Sequence, residues 1–108
     1  ATQLDFSGNM LSHIPTEIGK VSKLSRLYLQ SNNISTLPTE LGDIVTLQFL
    51  RLDYNRISSL PPLLFRASLS EFSFSYNMLT TIPSDIAQLP LSTFQGSHNA
   101  ITTLPTEL

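Results

Sequence analysis

The residues able to do chemistry in this 108-residue chain are few and far apart. Its histidines are His13 and His98, and it has no cysteine. A metal site or an acid–base pair needs its groups within a few ångströms of one another. His13 and His98 stand four units apart in a repeating chain whose units advance along one axis, so they cannot share a metal. His13 fills a turn slot that the other units give to Ser or Thr, and both histidines read as surface imidazoles. Asp53 and Glu71 fall where neighbouring strands would place them side by side. Paired carboxylates work as acid and base at about 5–9 Å in a cleft, but an open, solvated face does nothing to set the two apart. No glycine-rich phosphate loop, G-x-S-x-G elbow, H-E-x-x-H helix or kinase signature occurs. The expectation is no enzyme, no metal and no cofactor.

Recognition is the chemistry these residue types suit better. Arg and the aromatic side chains carry much of the energy of protein interfaces, because they combine a large contact area with a polar handle. Arg26, Tyr28, Phe49, Arg51, Asp53, Tyr54, Arg56, Glu71, Tyr76 and His98 are the candidate partner-binding residues. For these to act together, some element must bring positions about 22 residues apart onto one surface.

A repeat does this. Units run 1–23, 24–46, 47–68, 69–90 and a partial 91–108, which leaves no linker and no second domain. Each reads L-x-x-L-x-L-x-x-N-x-L-x-x-L-P-x-x-L. The second unit shows the pattern in Leu24, Leu27, Leu29, Asn32, Ile34, Leu37, Pro38 and Leu41. The fourth substitutes rings and Ile, as Leu69, Phe72, Phe74, Asn77, Leu79, Ile82, Pro83 and Ile86. Five such units in register define the whole chain.

This pattern resembles the leucine-rich repeat family over its full length. The segments Ile14–Gly19 (IPTEIG) and Leu37–Gly42 (LPTELG) are similar to the Ras-group subclass, which occurs in intracellular scaffolds and in recognition regions of larger signalling proteins. The third and fourth units depart from it, with PPLLF and PSDIA in that place. The resemblance implies an α/β, right-handed leucine-rich-repeat solenoid, a horseshoe arc with a parallel sheet on its concave face and short helical or 3₁₀ segments on its convex face.

The residues give the same architecture physical reasons. The x-L-x-L-x stretch alternates with period two, so Leu27 and Leu29 face one way while Arg26, Tyr28 and Gln30 face the other. Asn9, Asn32, Asn55, Asn77 and Asn99 form a column whose amides can donate to and accept from backbone groups of an adjacent coil. Pro15, Pro38, Pro61, Pro83 and Pro105 fix φ and end the strand period. The convex segments are short enough to hold only one or two helical turns, with Glu17, Glu40, Asp85 and Glu107 near the positive end. Stacking buries the leucines at about 1.5–3 kcal/mol each. Gly96 stands where other units carry Leu29, Leu52 and Phe74, and the Phe72, Phe74 and Phe94 rings are expected to fill the space it vacates.

Composition narrows the function classes. Net charge is −2 and only 13% of residues are charged, so no field favours nucleic acid or an anionic membrane. No apolar run approaches the ~18 residues of a membrane span. The absence of cysteine suits a reducing, cytoplasmic setting. Ala1 stands where a repeat leucine belongs and Leu108 stops within a unit. The chain therefore reads as a fragment of a longer array, with a tendency toward end-to-end self-association. The expected function is a protein–protein interaction module or scaffold in intracellular signalling, binding a protein or peptide through its concave face. Alternatives are the regulatory or targeting segment of a larger signalling enzyme and an extracellular receptor or adhesion array.

Overall fold

A computed structural model describes residues 3–21, 23–67 and 69–102. Each unit contributes one three-residue strand: β1 (Gln3–Asp5), β2 (Arg26–Tyr28), β3 (Phe49–Arg51), β4 (Glu71–Ser73) and β5 (Thr93–Gln95). The strands form one parallel sheet in chain order. Their spacing is that of the repeat, so Leu4, Leu27, Leu50, Phe72 and Phe94 stand in register across the sheet. Inter-coil pairing runs on past the strands: Leu29 N donates to Arg51 O at 2.9 Å and Ser31 N to Asp53 O at 2.9 Å.

The opposite side carries 3₁₀ segments η1 (Thr16–Lys20), η2 (Thr39–Asp43), η3 (Pro62–Arg66) and η4 (Ser84–Gln88). Pro15, Pro38, Pro61 and Pro83 each stand just before the segment with extended backbone, φ between −59° and −70°. Their ring fixes the turn out of the strand, and the helical turn starts one residue later. Glu17, Glu40 and Asp85 lie in the first turn of theirs; η3 has no acid there. Pro105 and Glu107 lie outside the described residues. Gly19 belongs to the Glu-apolar-Gly element for a steric reason: a Cβ on it would lie 2.7 Å from the carbonyl oxygen of Glu40. In the third unit Phe65 replaces that glycine, is buried, and packs edge-on against Phe72 at 5.9 Å.

The core is the stack of apolar columns between sheet and 3₁₀ segments. Leu24, Leu27, Leu29, Ile34, Leu47, Leu50, Leu52, Leu69 and Phe72 have no solvent exposure. The expected filling of the Gly96 position is found: the Phe74 ring occupies the place a side chain there would take. Phe94 completes this aromatic cluster, with its ring 5.3 Å from Phe74, but remains 38% exposed.

Four of the five asparagines tie coil to coil. Asn55 accepts from Ile34 N at 3.1 Å and donates to Leu29 O at 3.0 Å in the preceding coil, and to Leu52 O at 2.9 Å in its own. Asn32, Asn77 and Asn99 repeat the arrangement one coil on either side and beyond. Asn9 does not share it. Its amide is exposed and donates to Phe6 and Ser7 carbonyls of its own coil. The asparagine clamp reaches back toward the preceding coil, and none lies on that side of Asn9 among the described residues.

Candidate functional site

The sheet's outward face is where the candidate residues meet. Register places Gln3, Arg26, Phe49, Glu71 and Thr93 in one column and Asp5, Tyr28, Arg51, Ser73 and Gln95 in the next. Arginines and rings then interlock across strands. The Arg26 guanidinium sits over the Phe49 ring at 4.5 Å, and that of Arg51 over the Tyr28 ring at 4.9 Å. Arg51 also pairs with Glu71 through Nη2 at 3.1 Å and Nε at 3.3 Å. A ring with a cation on its face gains about 0.5–1 kcal/mol at an exposed site. The larger consequence is order, since each long side chain is held by a neighbour. Phe49, unexpected as an apolar ring on a wet face, serves as the seat of Arg26.

Asp53 is also engaged. It accepts from Ser73 Oγ and from Ser75 N, each at 2.7 Å. Asp53 and Glu71 do lie on adjacent coils as the sequence suggested, but each carboxylate has a partner of its own. With Gln30, Arg51 and Gln95 they line a depression of about 350 Å³. Gln30 Oε1 on that floor is buried without a hydrogen-bond partner among the described residues. At the sheet's edge, hydrogen bonds from the Ser7 hydroxyl and then the Ser7 N–H hold the Asp5 carboxyl below the usual carboxylate range.

Beyond the strands the backbone turns with a left-handed residue immediately before each asparagine. Gly8 has φ 70°, while Ser31, Tyr54, Tyr76 and His98 have φ between 58° and 60°. A non-glycine residue there costs about 1–2 kcal/mol, which the inter-coil hydrogen bonds must offset. The geometry aligns the side chains of this column. Tyr54 stacks on Tyr76 at 4.4 Å with planes 7° apart, and Tyr76 on His98 at 4.1 Å with planes 6° apart. The ladder expected from the sequence is thus present; the left-handed column that builds it was not foreseen. Gly8 at its head was the available signal, since glycine is the default at such a position.

Arg56 stands apart. It follows Asn55 in a column with Met10, Asn33, Met78 and Ala100, off the sheet face, and is exposed. Among the described residues no ion pair involves it. His13 is exposed at the far side of the first coil, hydrogen-bonded to Ser12, so the histidines do not meet. No group of three or more His, Cys, Asp or Glu able to hold a metal occurs among the described residues. None of their helices is long and apolar enough to cross a membrane. At the solenoid's first coil, Leu4, Phe6, Leu11, Ile14, Ile18 and Val21 line an open apolar depression of about 420 Å³.

A family model described as leucine rich repeat matches residues 2–57, and a second of the same description matches residues 68–89. This chain belongs to the leucine-rich repeat family. A leucine-rich repeat protein of Leptospira interrogans superposes with a TM-score of 0.90 at 29% identity, over 94% of this chain and 26% of the other. The leucine-rich repeat domain of APL1B gives 0.86 at 31% identity, over 94% and 33%. The ectodomain of the receptor kinase SOBIR1 from Arabidopsis thaliana gives 0.82 at 27%, over 97% and 60%. The plant peptide hormone receptor RGFR1, solved in complex with RGF2, gives 0.82 at 32%, over 95% and 17%. The chain therefore spans less than two thirds of the length of each of these proteins. No curated protein sequence matches it. Leucine-rich repeats are a common protein-interaction module, and the architecture of this chain is that of the module.

Proposed function

We propose that the concave face binds a protein or peptide partner, centred on Arg26, Tyr28, Phe49, Arg51, Tyr54 and Tyr76. The observation that carries this reading is the interlocking of rings and guanidinium groups across strands. Side chains already fixed by one another lose less rotamer freedom when a partner arrives, which otherwise costs about 0.5–1.5 kcal/mol for each long side chain. Arg51, Glu71 and Asp53 supply charges of both signs in the same surface, which orient a partner more than they tighten it. RGFR1, a plant peptide hormone receptor solved in complex with RGF2, is a structural neighbour of this array. The test is the double variant Phe49→Ala/Tyr54→Ala in the full-length protein, with affinity for its partner measured by calorimetry. Binding should weaken by about tenfold or more, the factor of 1.4 kcal/mol. An unchanged affinity overturns the patch.

The setting we favour is cytoplasmic signalling, supported by the lack of cysteine and by the IPTEIG and LPTELG segments. A second reading has a specific observation behind it. The SOBIR1 repeats form the ectodomain of a receptor kinase, so an array of this kind can serve as the recognition segment of a larger enzyme or receptor. Fractionation of cells expressing the full-length protein separates the two settings. The apolar end at Leu4, Phe6 and Leu11 is where the 108-residue chain would associate with itself, and sedimentation across a concentration series tests that.

A further inference from the structure

We propose that the free ring face of Tyr54, above Ser31, is a stacking slot for an aromatic side chain of the bound partner. This deepens the reading of the concave face and rests on it. The left-handed column is uniform from coil to coil. Ser31, Tyr54 and Tyr76 share the same φ to within a degree or two, and their N–H groups donate to Asp53, Ser75 and Ser97 carbonyls at 2.9 Å each. One coil is therefore a translated copy of the next at this point, and side chains on the column project in parallel. Tyr76 has a ring on both faces, from Tyr54 and from His98. Among the described residues Tyr54 has a ring on one face only. Its other face looks toward the second coil, where the column carries Ser31, too short to cover it. One coil further on stands Gly8, with no side chain at all.

Exposure agrees with that account. Tyr76, sandwiched, is 42% exposed, while Tyr54 is 56% exposed. A fourth ring in the open place would continue a stack that the chain already builds at 4.1–4.4 Å. The surroundings select its chemistry. This column and the adjoining one of Met10, Asn33, Arg56, Met78 and Ala100 contain no acid, the Asp53 carboxylate on the other side is already taken by Ser73 Oγ and Ser75 N, and the one guanidinium, Arg56, disfavours a second cation beside it. Met10, two residues beyond Gly8, is 85% exposed, and a thioether is a favourable neighbour for a ring. A neutral aromatic side chain fits this place better than Arg or Lys.

The slot can be tested apart from any natural partner. N-acetyltryptophanamide is titrated into the protein and the Tyr54 ring protons are followed by NMR. A saturable shift is expected at Tyr54, with N-acetylargininamide giving a clearly smaller one. Ser31→Tyr should fill the slot in cis and abolish the saturable shift, since Tyr54 and Tyr76 already show that the backbone there accepts a tyrosine. Should Ser31→Tyr fail to fold, Tyr54→Leu serves instead, read at the Ser31 amide, with affinity expected to fall roughly five- to tenfold. Phe49→Ala, which breaks the strand-borne patch, should leave probe binding intact, so failure of the slot and failure of the patch are separable. A shift that never saturates, an equal response to the arginine probe, or a saturable Tyr54 ring shift that persists undiminished in Ser31→Tyr overturns the proposal.

Discussion

The Phe74 ring and the Gly96 backbone occupy one volume between them: a Cβ on residue 96 would fall within the ring's own edge. Glycine here is a packing device, since its column holds Leu29, Leu52 and Phe74 in earlier coils. Phe74 is 1% exposed and also touches Phe72 and Phe94, so it cannot swing away without opening the aromatic cluster. Gly96→Leu should therefore destabilise the fold by about 1–3 kcal/mol through overpacking. Phe74→Leu alone should also destabilise, by leaving a void. The double variant Phe74→Leu/Gly96→Leu restores the second coil's pairing of leucines and should lose less than the sum of the two. Urea denaturation of the four proteins reads this coupling.

The asparagines should divide sharply. Asn55→Ala leaves the buried Ile34 N–H without its side-chain partner and takes one of two side-chain donors from each of the Leu29 and Leu52 carbonyls, which keep Asn32 and Asn77. An unpaired buried N–H costs about 1–3 kcal/mol and the two lost carbonyl bonds add to it, so a loss above about 2 kcal/mol is expected. Asn9→Ala removes bonds only within its own exposed turn, and should lie within about 0.5 kcal/mol of the parent. Equal losses at the two sites would mean that the column acts locally in every coil.

Asn9 also marks a limit of sequence reading. The residue type and its column were legible, because backbone polar groups in a stacked coil must be satisfied and asparagine can do so. That its role needs a coil on one particular side was not, since direction along the axis leaves no trace in the repeat. The strand slots of Arg26, Tyr28, Phe49 and Arg51 followed from the period of two. Their pairing across strands did not, because it depends on rotamers of long side chains, and the sequence constrains those weakly. Phe49 looked like an exposed ring and proved to be the platform under Arg26. The Tyr54–Tyr76–His98 ladder could be read from the column alone; its left-handed backbone could not, since three of those four non-glycine positions hold bulky residues that avoid φ > 0 when free.

Asp5 offers a pH prediction with a definite sign. Its carboxyl is lowered first by the Ser7 hydroxyl and then by the Ser7 N–H. A folded value below the unfolded one means that the charged form is favoured by folding. The contribution is thus fully present above the unfolded Asp value and is lost as pH falls through the folded value. Ser7→Ala removes the larger of the two bonds, so Asp5 should titrate at higher pH than in the parent. Carboxyl carbon shifts followed by NMR from neutral to acid pH measure both. An Asp5 midpoint that stays put in Ser7→Ala would assign the lowering to the backbone instead.

Gln30 supplies a prediction of gain. Its Oε1 is buried on the floor of the concave depression and accepts nothing from the described residues. Leaving such an acceptor dry costs more than an apolar atom in the same place. Methionine has nearly the length and flexibility of glutamine and no polar atom that demands a donor. Gln30→Met should raise stability by about 1 kcal/mol, which in a domain of this size moves Tm upward by roughly 4–8 °C. Calorimetric scans of the two proteins decide it. A lower Tm would show that water or an amide rotation satisfies the glutamine in solution. The same substitution bears on the proposed function, because an acceptor without an internal partner becomes a gain in affinity once a partner's donor reaches it. If the concave face is the binding surface, the variant should be more stable and bind less tightly, and a protein improved in both would place the partner elsewhere.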